Sequence, residues 1–161
     1  MNRIRLVGGI LIAVLGGLAG IRRRLGVLVV VGVSMEPTFH SGDRVLYRRT
    51  RRLRPGQVVV LDTAALERLV PAAAGTSARS PGLMIKRLAA VAGGVRPPQL
   101  AEAAQGVRPP QRAEAAQANQ RVSDGRVVVL GDNPRSLDSR QWGEIPAAVI
   151  LGVVVRTLTV G

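Results

Sequence analysis

The chain contains no cysteine and very few aromatic residues. Its 161 residues include one Phe, one Tyr, one Trp, one histidine (His40) and one lysine (Lys86). Without cysteine it can form no disulfide, no thiolate metal site and no cysteine nucleophile. With so few rings to stack on bases and no zinc-type spacing, the net charge of +13 does not indicate nucleic-acid binding. We interpret this arginine-dominated charge as a solvated and membrane-facing basic surface.

The longest clearly apolar segment near the amino terminus is Leu6 to Ile21, 16 residues without a charge. It is preceded by Arg3 and Arg5 and followed by Arg22 to Arg24. As a helix it would reach about 24 Å, short of a hydrocarbon core of about 30 Å, a gap that snorkelling arginines or a thinned bilayer could close. We predict that residues 1–24 are a basic tail and one retained transmembrane helix, rather than a cleaved signal peptide or a buried core helix. The flanking charges do not decide its orientation.

Residues 25–161 are predicted to form one compact, mainly β domain. Short β-branched runs separated by Gly, Pro and Asp are typical of strands, and amphipathic helices are almost absent. Thr63 to Leu69 is predicted as weakly helical or loop. The predicted strands are Leu25–Val33, Asp43–Tyr47, Gln57–Leu61, Leu83–Leu88, Arg126–Leu130 and Ala148–Arg156.

A tandem repeat interrupts this domain at residues 94–117. GVRPPQLAEAAQ is followed by GVRPPQRAEAAQ, and the two copies differ only at Leu100 and Arg112. Two copies are too few for a solenoid, and the Pro-Pro pairs interrupt any strand. We interpret the repeat as a duplicated surface insertion, which costs little stability because loop entropy grows slowly with length.

Ser34 is the candidate nucleophile. It lies between the predicted first strand and a turn, with Gly32 two residues before it and Pro37 three residues after it. A serine hydroxyl needs a base to accept its proton, and His40 is too near in sequence for an obvious Ser/His/Asp relay. The remaining candidate base is Lys86.

Lys86 can act as a base only when it is neutral. Its ordinary pKa of about 10.4 must then fall by about 2 to 3 units, which burial against apolar groups can supply. Strand alternation places Lys86 on the same face as Met84 and Leu88, an apolar setting. Arg87 lies on the opposite face and stays protonated, so it cannot serve as the base.

The same residues resemble the sequence boxes of type I signal peptidases, membrane-anchored Ser/Lys endopeptidases that include the mitochondrial inner-membrane proteases. The resemblance spans about Leu25 to Gly152 without the repeat, and the pattern is that of a small actinobacterial-like or mitochondrial-like member. The segments that carry it are, in order, Ser34–Thr38, Lys86-Arg87, Gly131–Asn133, Ser136–Arg140 and Trp142-Gly143.

The resemblance implies a signal-peptidase/LexA-like β-fold with Ser34 as nucleophile and Lys86 as general base and acid. Ser136 matches the serine that orients the lysine amine, and Asp138 and Arg140 match a supporting ion pair. The backbone N–H of Ser34 would stabilise the oxyanion. The substrate would lie extended beside the strand before Ser34 and the strand of Lys86, in shallow pockets for small residues. The residues expected to bind the oxyanion or substrate are Ser34, Gly32, Met35, Ile85 and Val29–Val33.

Gly32 stands where some members of the family carry a serine, so any second oxyanion donor is a backbone group or is unknown. The segment between Lys86 and Gly131 is short. The accessory subdomain of larger members is therefore predicted to be absent.

The resemblance predicts a serine endopeptidase that removes signal peptides from exported precursors at the extracytoplasmic side of the cell membrane. Its partners would be those precursors and membrane lipid, with no nucleic acid, metal or organic cofactor. One alternative is a maturation protease dedicated to a single precursor, such as a metalloenzyme precursor or a secreted peptide. Another is a LexA-like self-cleaving regulator, although the first 24 residues are too few and too apolar for a DNA-binding domain. A non-catalytic basic membrane protein is the third.

Overall fold

A computed structural model describes residues 24–76, 82–100 and 121–158 of the chain. Their strands form one antiparallel sheet of seven, in the order β1-β2-β7-β3-β4-β5-β6. The prediction of a mainly β protein is confirmed. The strands are β1 Leu25–Val29, β2 Arg44–Arg49, β3 Val58–Asp62, β4 Leu83–Val91, β5 Arg126–Leu130, β6 Ile145–Pro146 and β7 Ile150–Leu158.

Within the described ranges, two short helices and two 3-10 turns lie beside the sheet. Helix α1 spans Thr63–Leu69 and is capped by Asp62, whose Oδ1 accepts a hydrogen bond from the N–H of Ala65 at 2.9 Å. Such a cap satisfies a backbone donor that the helix itself leaves free. Helix α2 spans Ser139–Trp142, and the 3-10 turns span Pro71–Ala73 and Ala147–Val149. No helix among residues 24–76, 82–100 and 121–158 is long and apolar enough to cross a membrane, and the predicted anchor lies outside these ranges.

The sheet curls, so that its first strand approaches the turn after β5. Asn133, which follows β5, donates hydrogen bonds to the carbonyl oxygens of Val33 at 3.0 Å and Ser34 at 3.2 Å. These residues follow β1, which lies five places away from β5 in the sheet order. Shifts in register within β2–β7, β3–β7 and β4–β5 support the curvature, because a bulge increases local twist.

Strand β1 ends at Val29, four residues earlier than the sequence predicts. Val30 still exchanges backbone hydrogen bonds with Gly42 and Asp43, at 2.9 and 2.8 Å. Gly32 then adopts φ +87°, a conformation that glycine accepts readily and that ends the extended run. The shortened strand leaves residues 30–34 free to form the loop that carries Ser34.

The described part of the repeat packs onto the domain. Arg96 forms an ion pair with Glu144 at 2.6 Å, and Val95 makes an isolated β-bridge with Arg121. Leu100 packs against a small buried cluster that includes Val128. The rest of the repeat, residues 101–117, lies outside the described residues.

Candidate active site

Lys86 is buried in the middle of β4. The residue is only 3% exposed, and its Nζ donates a hydrogen bond to Ser136 Oγ at 2.7 Å. Met84 and Leu88, two positions away on either side, belong to the largest apolar cluster of the domain. Burial lowers the pKa of Lys86 from 10.5 to about 8, because the charged amine loses its hydration, while the nearby Asp138 carboxylate opposes the fall. A substantial fraction of this amine is therefore neutral in mildly alkaline solution.

Ser34 and Lys86 line the same groove, which has a volume of about 570 Å³. One wall is the chain from Leu28 to Val33, and the other is the start of β4, from Gly82 to Ile85. Ser136, which accepts the hydrogen bond from Lys86, also lines this groove. Three of the residues predicted for catalysis are thus brought together from positions far apart in the sequence.

Gly131 allows the turn after β5 to approach the Ser34 loop. A Cβ atom at this position would collide with Ser136 Oγ and with the carbonyl oxygen of Ser34. Asn133, two residues later, binds the carbonyl oxygens of Val33 and Ser34. Glycine is required here for close approach rather than for an unusual backbone angle, and it sets the distance between the Ser34 loop and Ser136.

Asp138 and Arg140 form the ion pair that the resemblance implies, with Nη2 and Oδ2 2.6 Å apart. Asp138 is fully buried, and Oδ2 also accepts a hydrogen bond from the N–H of Gly131 at 2.7 Å. Burial alone would raise the pKa of Asp138, but the hydrogen bonds from Arg140 and Gly131 hold it below its usual value. Arg140 in addition donates to the carbonyl oxygens of Pro134 and Asn133, at 2.8 and 3.1 Å. The pair therefore holds the turn on which Ser136 lies.

A second ion pair near the site is absent from the sequence-based prediction. Arg87 binds Asp132 through both Nε and Nη2, at 2.7 and 2.6 Å, and it donates a further bond to the Gly56 carbonyl. The Arg87 and Thr38 hydrogen bonds hold the pKa of Asp132 below its usual value although burial acts in the opposite direction. Asp132 thus connects β4 to the loop that follows Ser34. Arg87 and Asp132 meet because β4 pairs with β5, which places Arg87 opposite Leu130. The local sequence around either residue does not show this pairing.

Met35, which the resemblance implies as a substrate-binding residue, is not among the described residues that line the groove. Met35 is fully buried and packs in the apolar cluster of Phe39, Val45 and Val60. These contacts hold the Ser34 loop onto the sheet. The other residues predicted to bind oxyanion or substrate do line the groove, namely Ser34, Gly32, Ile85 and Val29–Val33.

Two family models match different parts of the chain. The model described as signal peptidase, peptidase S26, matches residues 97–158, and the peptidase S24-like model matches residues 12–70. Ser34 lies within the second match and Ser136 within the first, while Lys86 lies between them. A search of the curated proteins finds no match.

The curled antiparallel sheet and the two family matches define a serine peptidase of the superfamily that contains the S24 and S26 peptidases. Within that superfamily, residues 97–158 match the signal peptidase family, which is the family that the sequence boxes of the chain resemble.

Proposed function

We propose that this protein is a membrane-anchored endopeptidase that removes signal peptides with Ser34 as nucleophile and Lys86 as general base. The observation that carries the proposal is the buried amine of Lys86, which is hydrogen-bonded to Ser136 and lies in one groove with Ser34. A base in acyl transfer must be able to lose its proton near neutral pH. A lysine whose pKa is about 8 does so at little free-energy cost.

In the proposed reaction, the hydroxyl oxygen of Ser34 attacks the scissile carbonyl while neutral Lys86 accepts the hydroxyl proton. Protonated Lys86 then gives this proton to the leaving amine, and the acyl-enzyme remains on Ser34. A water molecule that loses its proton to Lys86 hydrolyses the ester, and that proton returns to the oxygen of Ser34. Ser136 acts as a positioning residue, since its hydroxyl fixes the direction of the lysine amine.

The backbone N–H of Ser34 is the proposed oxyanion donor. Among the described residues, no group accepts a hydrogen bond from this N–H, so it is available to a developing negative charge. Gly32 contributes no hydroxyl, and its positive φ of +87° disfavours the serine found at this position in some family members. Any second hydrogen-bond donor to the oxyanion must therefore be a backbone N–H or another group beside the bound substrate.

Unpaired strand edges support an extended mode of substrate binding. Among the described residues, β1 pairs only with β2, and the β4 residues Leu83 to Lys86 pair only with β3, because β5 pairs with β4 from Arg87 onwards. Both free edges border the groove. A peptide added between them would gain backbone hydrogen bonds on two sides, and the aliphatic lining suits small residues before the cut.

The surface near β1 supports the proposed membrane location. Val27, Val29, Val31 and Val33 are each at least 49% exposed, which is an unusual row of apolar side chains. The proposed anchor ends at Ile21, only four residues before β1 begins. An anchor at residues 6–21 would therefore hold this row and the groove close to the bilayer, where a signal peptide is presented.

The test measures cleavage of an alanine-rich leader peptide by the purified full chain in detergent. Ser34→Ala, Lys86→Ala and Lys86→Arg should each reduce turnover by at least about a thousandfold, as expected for members of a catalytic unit. Ser123→Ala, which removes an exposed hydroxyl outside the groove, is the matched control and should cleave normally. Substantial cleavage by either Ser34→Ala or Lys86→Arg would exclude the proposed dyad.

A further inference from the structure

Among the residues that the structure describes, the charges that line the groove are all of one sign. Within that part of the chain no acidic residue lies along the groove, and its basic residues are Lys86 and Arg135. The amine of Lys86 is buried and hydrogen-bonded to Ser136, whereas Arg135 is exposed. Arg135 is therefore the groove-lining cation that a substrate side chain can reach from solvent.

Other arginines around the site are neutralised by carboxylates, but Arg135 is not. Arg87 is paired with Asp132, and Arg140 is paired with Asp138. Within residues 24–76, 82–100 and 121–158, Arg135 forms no ion pair. Its positive charge is thus left to act on whatever occupies the groove.

The backbone of Arg135 is fixed beside the reacting groups. Its N–H donates a hydrogen bond to Asn133 Oδ1 at 2.9 Å, and the same Asn133 holds the carbonyl oxygen of Ser34. Arg135 directly precedes Ser136, so their Cα atoms are about 3.8 Å apart. The side chain therefore begins close to Ser136 and to the Ser34 loop, where the peptide bond would be cut.

We propose that Arg135 determines substrate specificity by favouring an acidic side chain, and disfavouring a lysine, within two residues of the scissile bond. This inference rests on the proposed peptidase function and names a property of its substrates. Attraction to a carboxylate and repulsion of an ammonium at a solvent-exposed site each change the rate by about two- to fivefold. The competing explanation is a solvated arginine whose charge has no effect on the choice of substrate.

The experiment uses sets of three leader peptides that differ at a single position, which carries Asp, Gln or Lys. The positions tested are the two before the cut and the two after it. Positions whose side chain the enzyme requires to be small are omitted. The full chain in detergent is assayed at pH 9, where Lys86, with a pKa of about 8, is mostly neutral and Arg135 remains charged. The variants are Arg135→Gln, Arg135→Lys and Arg135→Glu, with Arg68→Gln on helix α1 as a control at an exposed arginine outside the groove.

At one or more positions, the wild-type enzyme and Arg68→Gln should cleave the Asp peptide about fivefold or more faster than the Lys peptide, measured as kcat/KM. Arg135→Lys should retain this preference, Arg135→Gln should remove it, and Arg135→Glu should reverse it. The preference should shrink in 1 M salt, where the Debye length is about 3 Å. An equal preference in wild type and Arg135→Gln, with the Gln peptide still cleaved, would overturn the inference alone. If no peptide is cleaved, the proposed function fails and the inference fails with it.

Discussion

Replacing Lys86 with methionine is expected to abolish catalysis and, at neutral pH, to stabilise the fold. Burial lowers the pKa of this lysine from 10.5 to about 8, so folding the protonated amine carries a free-energy penalty. Because one pKa unit corresponds to 1.36 kcal/mol, the penalty is about 3 kcal/mol. Methionine has a similar length and no charge, and the neighbouring Met84 and Leu88 already provide an apolar environment.

The expected gain is smaller than this penalty and depends on pH. Methionine also removes the hydrogen bond from Lys86 Nζ to Ser136 Oγ, which is worth about 1 kcal/mol, so the net gain at pH 7 is about 2 kcal/mol. Below about pH 8 the lysine is protonated in both folded and unfolded chains, and the whole penalty is present. Between about pH 8 and 10.5 the unfolded chain binds more protons than the folded one, so the wild-type stability rises with pH. The advantage of methionine should therefore disappear by about pH 10.

The measurement is urea unfolding of Lys86→Met and Lys86 proteins at pH 7 and pH 10, both in a Ser34→Ala background that prevents self-digestion. Other titrating groups are common to the two proteins, so their effects cancel in the difference. Lys86→Gln serves as a control that keeps a polar group able to bind Ser136. A methionine variant less stable than its parent at pH 7, or a difference that does not change with pH, would refute the reasoning that burial depresses the pKa of Lys86.

Two further substitutions test the support of the site. Gly131→Ala should lower kcat at least about tenfold and destabilise the fold by about 1 to 3 kcal/mol, because the new Cβ collides with Ser136 and the Ser34 carbonyl; wild-type kcat and thermal stability would contradict this. Asp138→Asn should cost about 3 to 5 kcal/mol in urea unfolding at pH 7, because Arg140 loses its buried partner. Since the pKa of Asp138 is depressed in the folded state, the stability that its charge provides is lost as the pH falls through that value. The difference from wild type should shrink in acid, and a difference constant down to pH 3 would argue against the ion pair as its cause.

Local sequence patterns predicted several elements well. Strand β5 has the predicted bounds, Arg126–Leu130, because a β-branched run ends there in a Gly-Asp-Asn turn. Thr63–Leu69, predicted as weakly helical or loop, is a helix over that range, since Asp62 caps it and Leu66 packs in the core. β1 was predicted too long because the β-branched run continues beyond Val29 to Val33, whereas the positive φ of Gly32 depends on the turn that the sheet imposes.

The side chains around Ser34 mark the limit of such patterns. The resemblance named Met35 as a groove residue, but the direction of its side chain depends on the cluster formed with Val45 and Val60, which come from β2 and β3. The ion pair of Arg87 with Asp132 was missed for the same reason, since 45 residues separate the two side chains. Neither outcome follows from spacing or alternation within one strand.

The sequence by itself determined which chemistry is available. One lysine at an apolar strand position and one serine before a turn indicated a candidate base and nucleophile, because strand alternation and residue type are local properties. Together with the Gly-Asp-Asn segment, these residues resembled the sequence boxes of Ser/Lys signal peptidases. Tertiary structure decided whether these groups meet. Only the curled sheet buries Lys86 against Ser136, opens a groove between β1 and β4, and places Arg135, which forms no ion pair within the described part of the chain, on the lining of that groove. Distances, burial and the loss of hydration that lowers a pKa arise from contacts between distant segments, which no single stretch of the chain contains.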